Sequence, residues 1–84
     1  MEVLNLITRL ENKLKAYLCL RSDATHAETW RLDVQLFYEE EPAGRTTFTL
    51  HGYSQDEAET IARGIKHNEY LMHEIDQVLW GESD

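Results

Sequence analysis

Carboxylates are the side chains of this sequence that could do the most chemistry. The chain of 84 residues carries sixteen Asp and Glu against eight Lys and Arg, a formal charge of -8. On a helix, carboxylates three or four residues apart lie about 5–6 Å from one another, near the spacing of successive phosphates on a nucleic acid strand. Such a row could occupy a basic groove in place of nucleic acid. The alternative is a solvated face that keeps a small protein soluble.

The acidic residues are unevenly distributed along the chain. Residues 1–21 contain two acids and four bases, whereas residues 22–84 contain fourteen acids and four bases. In the second segment the acids concentrate at a turn between two predicted strands and along the C-terminal helical segment. We expect these carboxylates to bind a protein partner with a basic surface. They are Glu39, Glu40, Glu41, Asp56, Glu57, Glu59, Glu69, Glu74 and Asp76.

The remaining side chains give little support to metal binding or catalysis. The four histidines and the single cysteine, Cys19, lack the local spacing of a tetrahedral zinc site, so we expect neither a metal nor another cofactor. Cys19 stands between two leucines, a setting typical of a small buried residue rather than of an activated nucleophile. The four glycines form no phosphate-binding loop. The sequence therefore predicts a protein that is not an enzyme.

A single cysteine also excludes an intramolecular disulfide, which for so short a chain favours an intracellular, cytoplasmic setting. The first nine residues begin with an acid and mix polar with apolar side chains, unlike a signal peptide. The longest apolar run, Ala16 to Leu20, is far shorter than the roughly 20 residues of a membrane helix. We expect no membrane contact, and the acidic balance predicts no direct contact with nucleic acid.

A helical period runs through the first residues of the chain. Its apolar side chains, spaced by four and three residues, are Val3, Ile7, Leu10, Leu14 and Tyr17. An acid lies near the start of this segment and two lysines lie near its end, the charge order that a helix dipole favours. The pattern predicts an N-terminal helix over residues 2 to about 15. A short strand over residues 16–21 would follow it.

Two further segments alternate between apolar and polar residues with the period of a strand. The first, residues 30–38, sends its large apolar side chains to one face, and only Phe37 breaks the alternation. The second, residues 46–51, is rich in threonine and follows a turn marked by a proline and a glycine. We expect these strands to pair as an antiparallel hairpin with Trp30 and Tyr38 in the core.

The C-terminal part of the chain returns to the helical period. Ser54 and Glu57 stand three residues apart, the spacing of a capping box, and an apolar stripe then continues as far as Gly81. A continuous helix over residues 55–80 would be about 39 Å long, which is long for so small a domain. We therefore expect either one long helix or a helix broken between residues 64 and 68.

Together these elements predict one α+β domain that spans residues 1–84. Its order is an N-terminal helix, an antiparallel sheet of two or three strands, and a long or broken C-terminal helix packed on one sheet face. A domain this small buries only about 60 % of the surface of its unfolded chain, so a partner subunit would add stability. The aromatic side chains Phe37 and Trp80 are candidates for such a contact.

The C-terminal half resembles the end of a double-stranded RNA-binding domain. The residues that carry the resemblance are Gly52, Tyr53 and Ser54, which enter a helix that continues with Ala58 and Ala62. In that family, lysines at the start of the last helix grip phosphates, whereas acids stand at the corresponding positions here. The resemblance therefore implies a topology and no RNA-binding residue.

The size, the acidity and the order of elements also resemble small phage-encoded anti-CRISPR inhibitors of Cas9. The match consists of Leu6 and Ile7 followed by Leu10, Asn12 and Lys13, then a pair of strands and a closing helix. This resemblance implies mimicry of nucleic acid, in which carboxylates fill a basic groove where phosphates or base edges bind.

The sequence is compatible with two functions. The first is an acidic, non-enzymatic inhibitor of a nucleic-acid-binding enzyme, of the kind that phages and mobile elements carry into a host cell. The second is a structural or assembly subunit that binds its partner through hydrophobic surface at Phe37 and Trp80. The protein would act as a monomer in the first case, and a homodimer is one form of the second.

Overall fold

The computed structural model describes residues 2–80, in which a four-stranded antiparallel sheet precedes two helices. The strands lie in the sheet in the order in which they occur in the chain. They are β1 (Glu2–Glu11), β2 (Leu14–Ser22), β3 (Thr29–Tyr38) and β4 (Glu41–His51). Strands β1 and β4 therefore form the two edges of the sheet.

The N-terminal segment is strand β1, so the predicted N-terminal helix is wrong and the sheet has four strands rather than two or three. The apolar residues of this segment fit a period of two as well as the helical period. Leu4, Leu6 and Leu10 pack on or in the core, whereas Ile7 is 69 % exposed. Pairing decides the outcome, because Leu6 lies opposite Leu18 and β1 thereby supplies the backbone partners of β2.

The strand predicted over residues 16–21 is confirmed as part of β2, and the predicted pairing of two strands is confirmed as β3 and β4. The predicted position of the turn is wrong, because the proline and glycine expected to mark it lie inside β4. Trp30 is buried, and its Nε1 donates a hydrogen bond to the Tyr53 carbonyl at 2.8 Å. Tyr38 is 42 % exposed, so its predicted place in the core is wrong. It is the last residue of β3, and its ring lies against the exposed Trp80 ring at the end of α2.

The C-terminal segment forms helix α1 (Gln55–Arg63), a 3-10 turn (Ile65–His67) and helix α2 (Glu69–Trp80), so of the two predicted alternatives the broken helix is confirmed. The capping box is also confirmed. The Glu57 N–H donates to Ser54 Oγ at 3.2 Å, and the Ser54 N–H donates to Glu57 Oε1 at 2.9 Å. Gly81, the predicted stop of the helix, lies outside the described residues.

Both helices pack on the same face of the sheet, and the core lies between the two layers. Alternate residues of β2 and β3 point into it, and Leu18, Leu32 and Leu36 are almost fully buried. Helix α2 lies very close to β4, because a Cβ at Gly44 would come within 2.9 Å of Val78 Cγ1. The opposite face of the sheet, which we call the open face, has neither helix over it.

Separate alanine substitutions of Leu10 and Ile7 distinguish β1 from the predicted helix. In the helical stripe both side chains would be buried, whereas in β1 Leu10 is 9 % exposed and Ile7 is 69 % exposed. We expect Leu10→Ala to lower the free energy of unfolding by about 2–4 kcal/mol and Ile7→Ala to change it by less than about 0.5 kcal/mol. Chemical denaturation followed by circular dichroism measures both, and equal losses would contradict the strand.

Candidate functional site

The carboxylates of the β3–β4 turn and those of α1, all predicted to bind a partner, lie at opposite ends of β4. Glu39, Glu40 and Glu41 lie at the connection between β3 and β4, whereas α1 begins beyond the opposite end of β4. Strand β4 has 11 residues, so these two places are separated by roughly 33 Å along the strand. A single basic groove would have to contact both ends of the domain to use all nine predicted carboxylates.

Two of the carboxylates at the turn have a structural role. Glu39 and Glu40 have φ angles of 53° and 69°, the left-handed values that a two-residue type I′ hairpin turn requires. Glutamate rarely adopts this conformation, and two ion pairs help to hold it. Lys13 Nζ lies 2.9 Å from Glu39 Oε2, and Lys15 Nζ lies 3.7 Å from Glu40 Oε2. Their charges are therefore partly neutralised by neighbouring lysines.

The carboxylates of the helices divide between local contacts and solvent. Glu57 completes the capping box, and Glu59 accepts a hydrogen bond from the Gln55 side chain at 2.9 Å. Glu74 is half-buried beside the sheet. Three others are exposed to solvent: Asp56, Glu69 and Asp76.

The two aromatic contact candidates lie on different parts of the surface. Phe37 is half-buried on the open face, where it lies opposite Lys15 of β2. Trp80 is 70 % exposed at the end of α2, and its ring meets the Tyr38 ring edge-on with 6.4 Å between centroids. The two side chains therefore do not belong to one contact patch.

A groove of about 700 Å³ runs along the outer edge of β4, and we call it the β4 groove. The strand itself forms one wall, from Thr46 to His51. The second wall is formed by side chains from the helices and from the connections before them. These side chains are Tyr53, Ile61, Asn68, Tyr70, Leu71 and Glu74.

The backbone of β4 presents hydrogen-bonding groups to this groove. The Gly52 N–H donates to the Glu28 carbonyl at 2.9 Å, which fixes a hydrogen-bonded pair at this end of the ladder. Because such pairs alternate along an antiparallel ladder, the even-numbered residues of β4 up to Leu50 bond to β3. The N–H and C=O groups of Thr47, Thr49 and His51 therefore point outward.

The other edge of the sheet is less suited to accept an added strand. The register of β1 with β2 shifts between Glu2 and Leu4 and again between Arg9 and Glu11. Such irregularities bend an edge strand and interrupt its row of donors and acceptors. The register of β4 with β3 is regular from residue 44 to residue 51. A regular edge of this length is the geometry that strand addition requires.

The open face of the sheet gathers most of the basic side chains. Strand register places five of the eight Lys and Arg of the chain on it: Arg9, Lys15, Arg21, Arg31 and Arg45. The aromatic side chains Tyr17 and Phe37 lie among them. The acids of α1 and α2 lie on the opposite side of the sheet, whereas the open face also carries Glu2 and Asp33 beside Arg21.

Cys19 also lies on the open face, half-buried rather than in the core. Burial raises the pKa of its thiol, and the neighbouring Glu2 carboxylate raises it further. The pKa of Glu2 is in turn lowered, first by a hydrogen bond from the Asn5 side chain and then by one from Cys19. The thiol is therefore held in its protonated, weakly nucleophilic form at neutral pH.

No family model, curated protein or solved structure matches this chain. The resemblances to the double-stranded RNA-binding domain and to the anti-CRISPR inhibitors stay predictions. Within residues 2–80, no group of three His, Cys, Asp or Glu side chains could hold a metal ion. No helix in that part of the chain is long and apolar enough to cross a membrane.

Sequence reasoning missed the β4 groove because its walls come from β4, α1 and α2, which meet only after folding. One signal could have indicated it. Up to residue 80, strand 46–51 is followed by helices and by no further strand, so in a sheet ordered along the chain it forms an edge. The basic open face was missed because the charge of the whole chain averages over both sides of the sheet.

Amide hydrogen exchange tests the alternation along β4. The amides of Thr47 and Thr49 face the groove and should exchange quickly, whereas those of Phe48 and Leu50 bond to β3 and should exchange at least about 100-fold more slowly. Two-dimensional NMR in deuterated buffer resolves the four amides. A ladder shifted by one residue would give the reverse pattern and would remove the donors from the groove.

Proposed function

We propose that this protein is a non-enzymatic protein-binding module that takes up an extended segment of its partner beside β4. The observation that carries the proposal is the β4 groove of about 700 Å³ along a regular, outward-facing strand edge. A segment lying there would bond through its own backbone to Thr47, Thr49 and His51. This mode of binding derives affinity from the main chain and specificity from alternate side chains.

The dimensions of the groove fit a short peptide. The six residues of β4 that line it extend about 20 Å, the length of a six-residue strand. Its volume also lies within the range of about 300–1,000 Å³ that is usual for ligand sites. A partner segment of five or six residues would therefore fill it.

The second wall of the groove indicates which side chains are preferred. Alternate side chains of an added strand would point toward the helices and meet Phe48, Tyr70 and Leu71, so they should be apolar. Tyr70 is 67 % exposed and would lose most of that exposure. The half-buried carboxylate of Glu74 lies in the same wall and favours a Lys or Arg in the segment.

The wider charge distribution supports a basic partner. Glu69 and Asp76 are exposed on α2, the helix that supplies part of the groove wall, in a chain whose net charge is -8. Such a field speeds the approach of a basic protein and suppresses acidic ones. A narrower form of this proposal is inhibition of a nucleic-acid-binding enzyme by mimicry of nucleic acid. The protein would then act in the cytoplasm of the host cell of a phage.

A proline at position 49 tests strand addition. The Thr49 N–H points outward, so Thr49→Pro removes a donor from the groove without removing a ladder bond to β3. We expect peptides selected from a random displayed library on the wild-type protein to bind Thr49→Pro at least about tenfold more weakly, with binding to Thr49→Val unchanged. Biolayer interferometry measures both, and circular dichroism checks that each variant is folded.

A second pair of variants covers the case in which the proline disturbs the sheet. Tyr70→Ala removes a largely exposed groove side chain and should also weaken peptide binding, whereas Ile7→Ala, equally exposed on the open face, should not. Peptides that bind all four variants equally would overturn the proposal. If sedimentation shows a dimer that Thr49→Pro dissociates, the groove binds a second copy of this chain. That result would overturn the proposal of a different protein as partner.

A further inference from the structure

We propose that the open face of the sheet binds single-stranded nucleic acid, with a base stacked against Tyr17 and Phe37 and the neighbouring phosphates on Arg9 and Arg45. This surface is separate from the β4 groove, because it is the face that lies away from both helices. It follows from strand register, charge and the shape of the surface.

Strand register sets out the open face in rows that cross the sheet. From β1 to β4, one row consists of Ile7, Tyr17, Gln35 and Arg45. The adjacent row, nearer the β3–β4 turn, consists of Arg9, Lys15, Phe37 and Pro42. These two rows place three basic side chains around two aromatic rings, and their eight positions include no acid.

A shallow depression of about 240 Å³ lies in the middle of these rows. Its lining consists of Ile7, Lys15, Tyr17, Phe37 and, from the turn, Glu40. Tyr17 is 39 % exposed and Ile7 is 69 % exposed, so apolar surface is open to solvent here. Aromatic rings in a basic setting are the surface on which single-stranded nucleic acids stack their bases, with little dependence on sequence.

The basic groups stand at a separation that suits a short strand. Arg9 on β1 and Arg45 on β4 are three strand spacings and one row apart, about 16 Å, which is the length of roughly five stacked nucleotides. Among residues 2–80, neither guanidinium has an acidic partner within salt-bridge distance. Lys15 is shared with Glu40, and Arg21 is paired with Asp33 outside the two rows. Two free arginines therefore flank the rings.

The net charge of -8 predicts that the chain repels nucleic acid. The fold, however, places the acids of both helices on the side of the sheet away from the open face. The helices lie about 10 Å from the sheet, and their exposed acids point farther away. The Debye length at physiological salt is about 8 Å, so those charges are largely screened at the open face. The local charge of the two rows, rather than that of the whole chain, sets the interaction with a strand lying on them.

Two other occupants suit the surface less well. A second copy docking through the same face would bring Arg9, Lys15 and Arg45 against the same residues of its partner, and like charges would meet. An acidic protein would use the basic groups but would gain nothing specific from stacking on Tyr17 and Phe37. The combination of guanidinium groups and exposed rings matches a ligand that has both phosphates and flat bases.

Fluorescence anisotropy with a labelled oligothymidylate of about 12 nucleotides tests the proposal at about 100 mM salt, where the Debye length is about 10 Å. We expect Arg9→Glu combined with Arg45→Glu to weaken binding at least about tenfold. Arg63→Glu combined with Lys66→Glu changes the net charge equally on the helical side and should weaken it less than about twofold. Tyr17→Leu keeps the apolar bulk but removes the ring, and should weaken binding about fivefold.

Three results would overturn the proposal. The first is no binding by the wild-type protein at concentrations of about 100 µM, which is above the dissociation constant expected of nonspecific contacts at this salt concentration. The second is equal loss for the two charge-reversed variants. The third is binding of polyglutamate as tight as that of the oligonucleotide and insensitive to Tyr17→Leu, which would indicate an acidic protein. Thr49→Pro should bind the oligonucleotide normally, so a failure here is separate from a failure of the β4 groove.

Discussion

The burial of one face of a four-stranded sheet under two short helices is the constraint on which the rest of this structure depends. A sheet of four strands is about 15–20 Å wide, and two helices 8–10 Å apart cover that width once. Helices α1 and α2, of 9 and 12 residues, do this over the leucines of β2 and β3. Within residues 2–80 no other helix is left for the second face, so that face must be compatible with water.

The two candidate surfaces follow from this arrangement. The open face is the face of the sheet that no helix covers. Its odd-numbered positions include arginine, lysine and threonine beside the aromatic rings of Tyr17 and Phe37. The β4 groove exists because α2 lies close beside β4 at Gly44 while its first turn leaves the strand edge accessible near Tyr70. One-sided coverage thus leaves a face and an edge available for partners without any loss from the core.

Local signals in the sequence predicted local structure well. The capping box at Ser54 and the hairpin of β3 and β4 each depend on residues that are close in the chain, and both are confirmed. The N-terminal segment could not be assigned in this way, because its leucines satisfy either period. Its strand conformation is decided by pairing with β2, and the exposure of Ile7 is the sign that the helical assignment was wrong.

The same distinction explains what could be predicted of the candidate surfaces. Counting acids correctly indicated a strongly charged protein, but a count along the chain carries no information about the side of the sheet on which a residue lies. Glu39 and Arg45 are six positions apart, yet the first is fixed in a turn by Lys13 and the second lies on the open face. The charge of each face of the sheet can therefore be assigned only when the strand register is known.

The order of the strands also affects how the protein folds during its synthesis. Each strand pairs with its predecessor in the chain, so the sheet is built from short-range hairpins that can form one after another during synthesis. The helices follow the sheet in the chain, so until α2 has left the ribosome they cannot fully cover the leucines of β2 and β3. The nascent chain is therefore most prone to aggregate after β4 has emerged and before α2 has, when the sheet still exposes its apolar face.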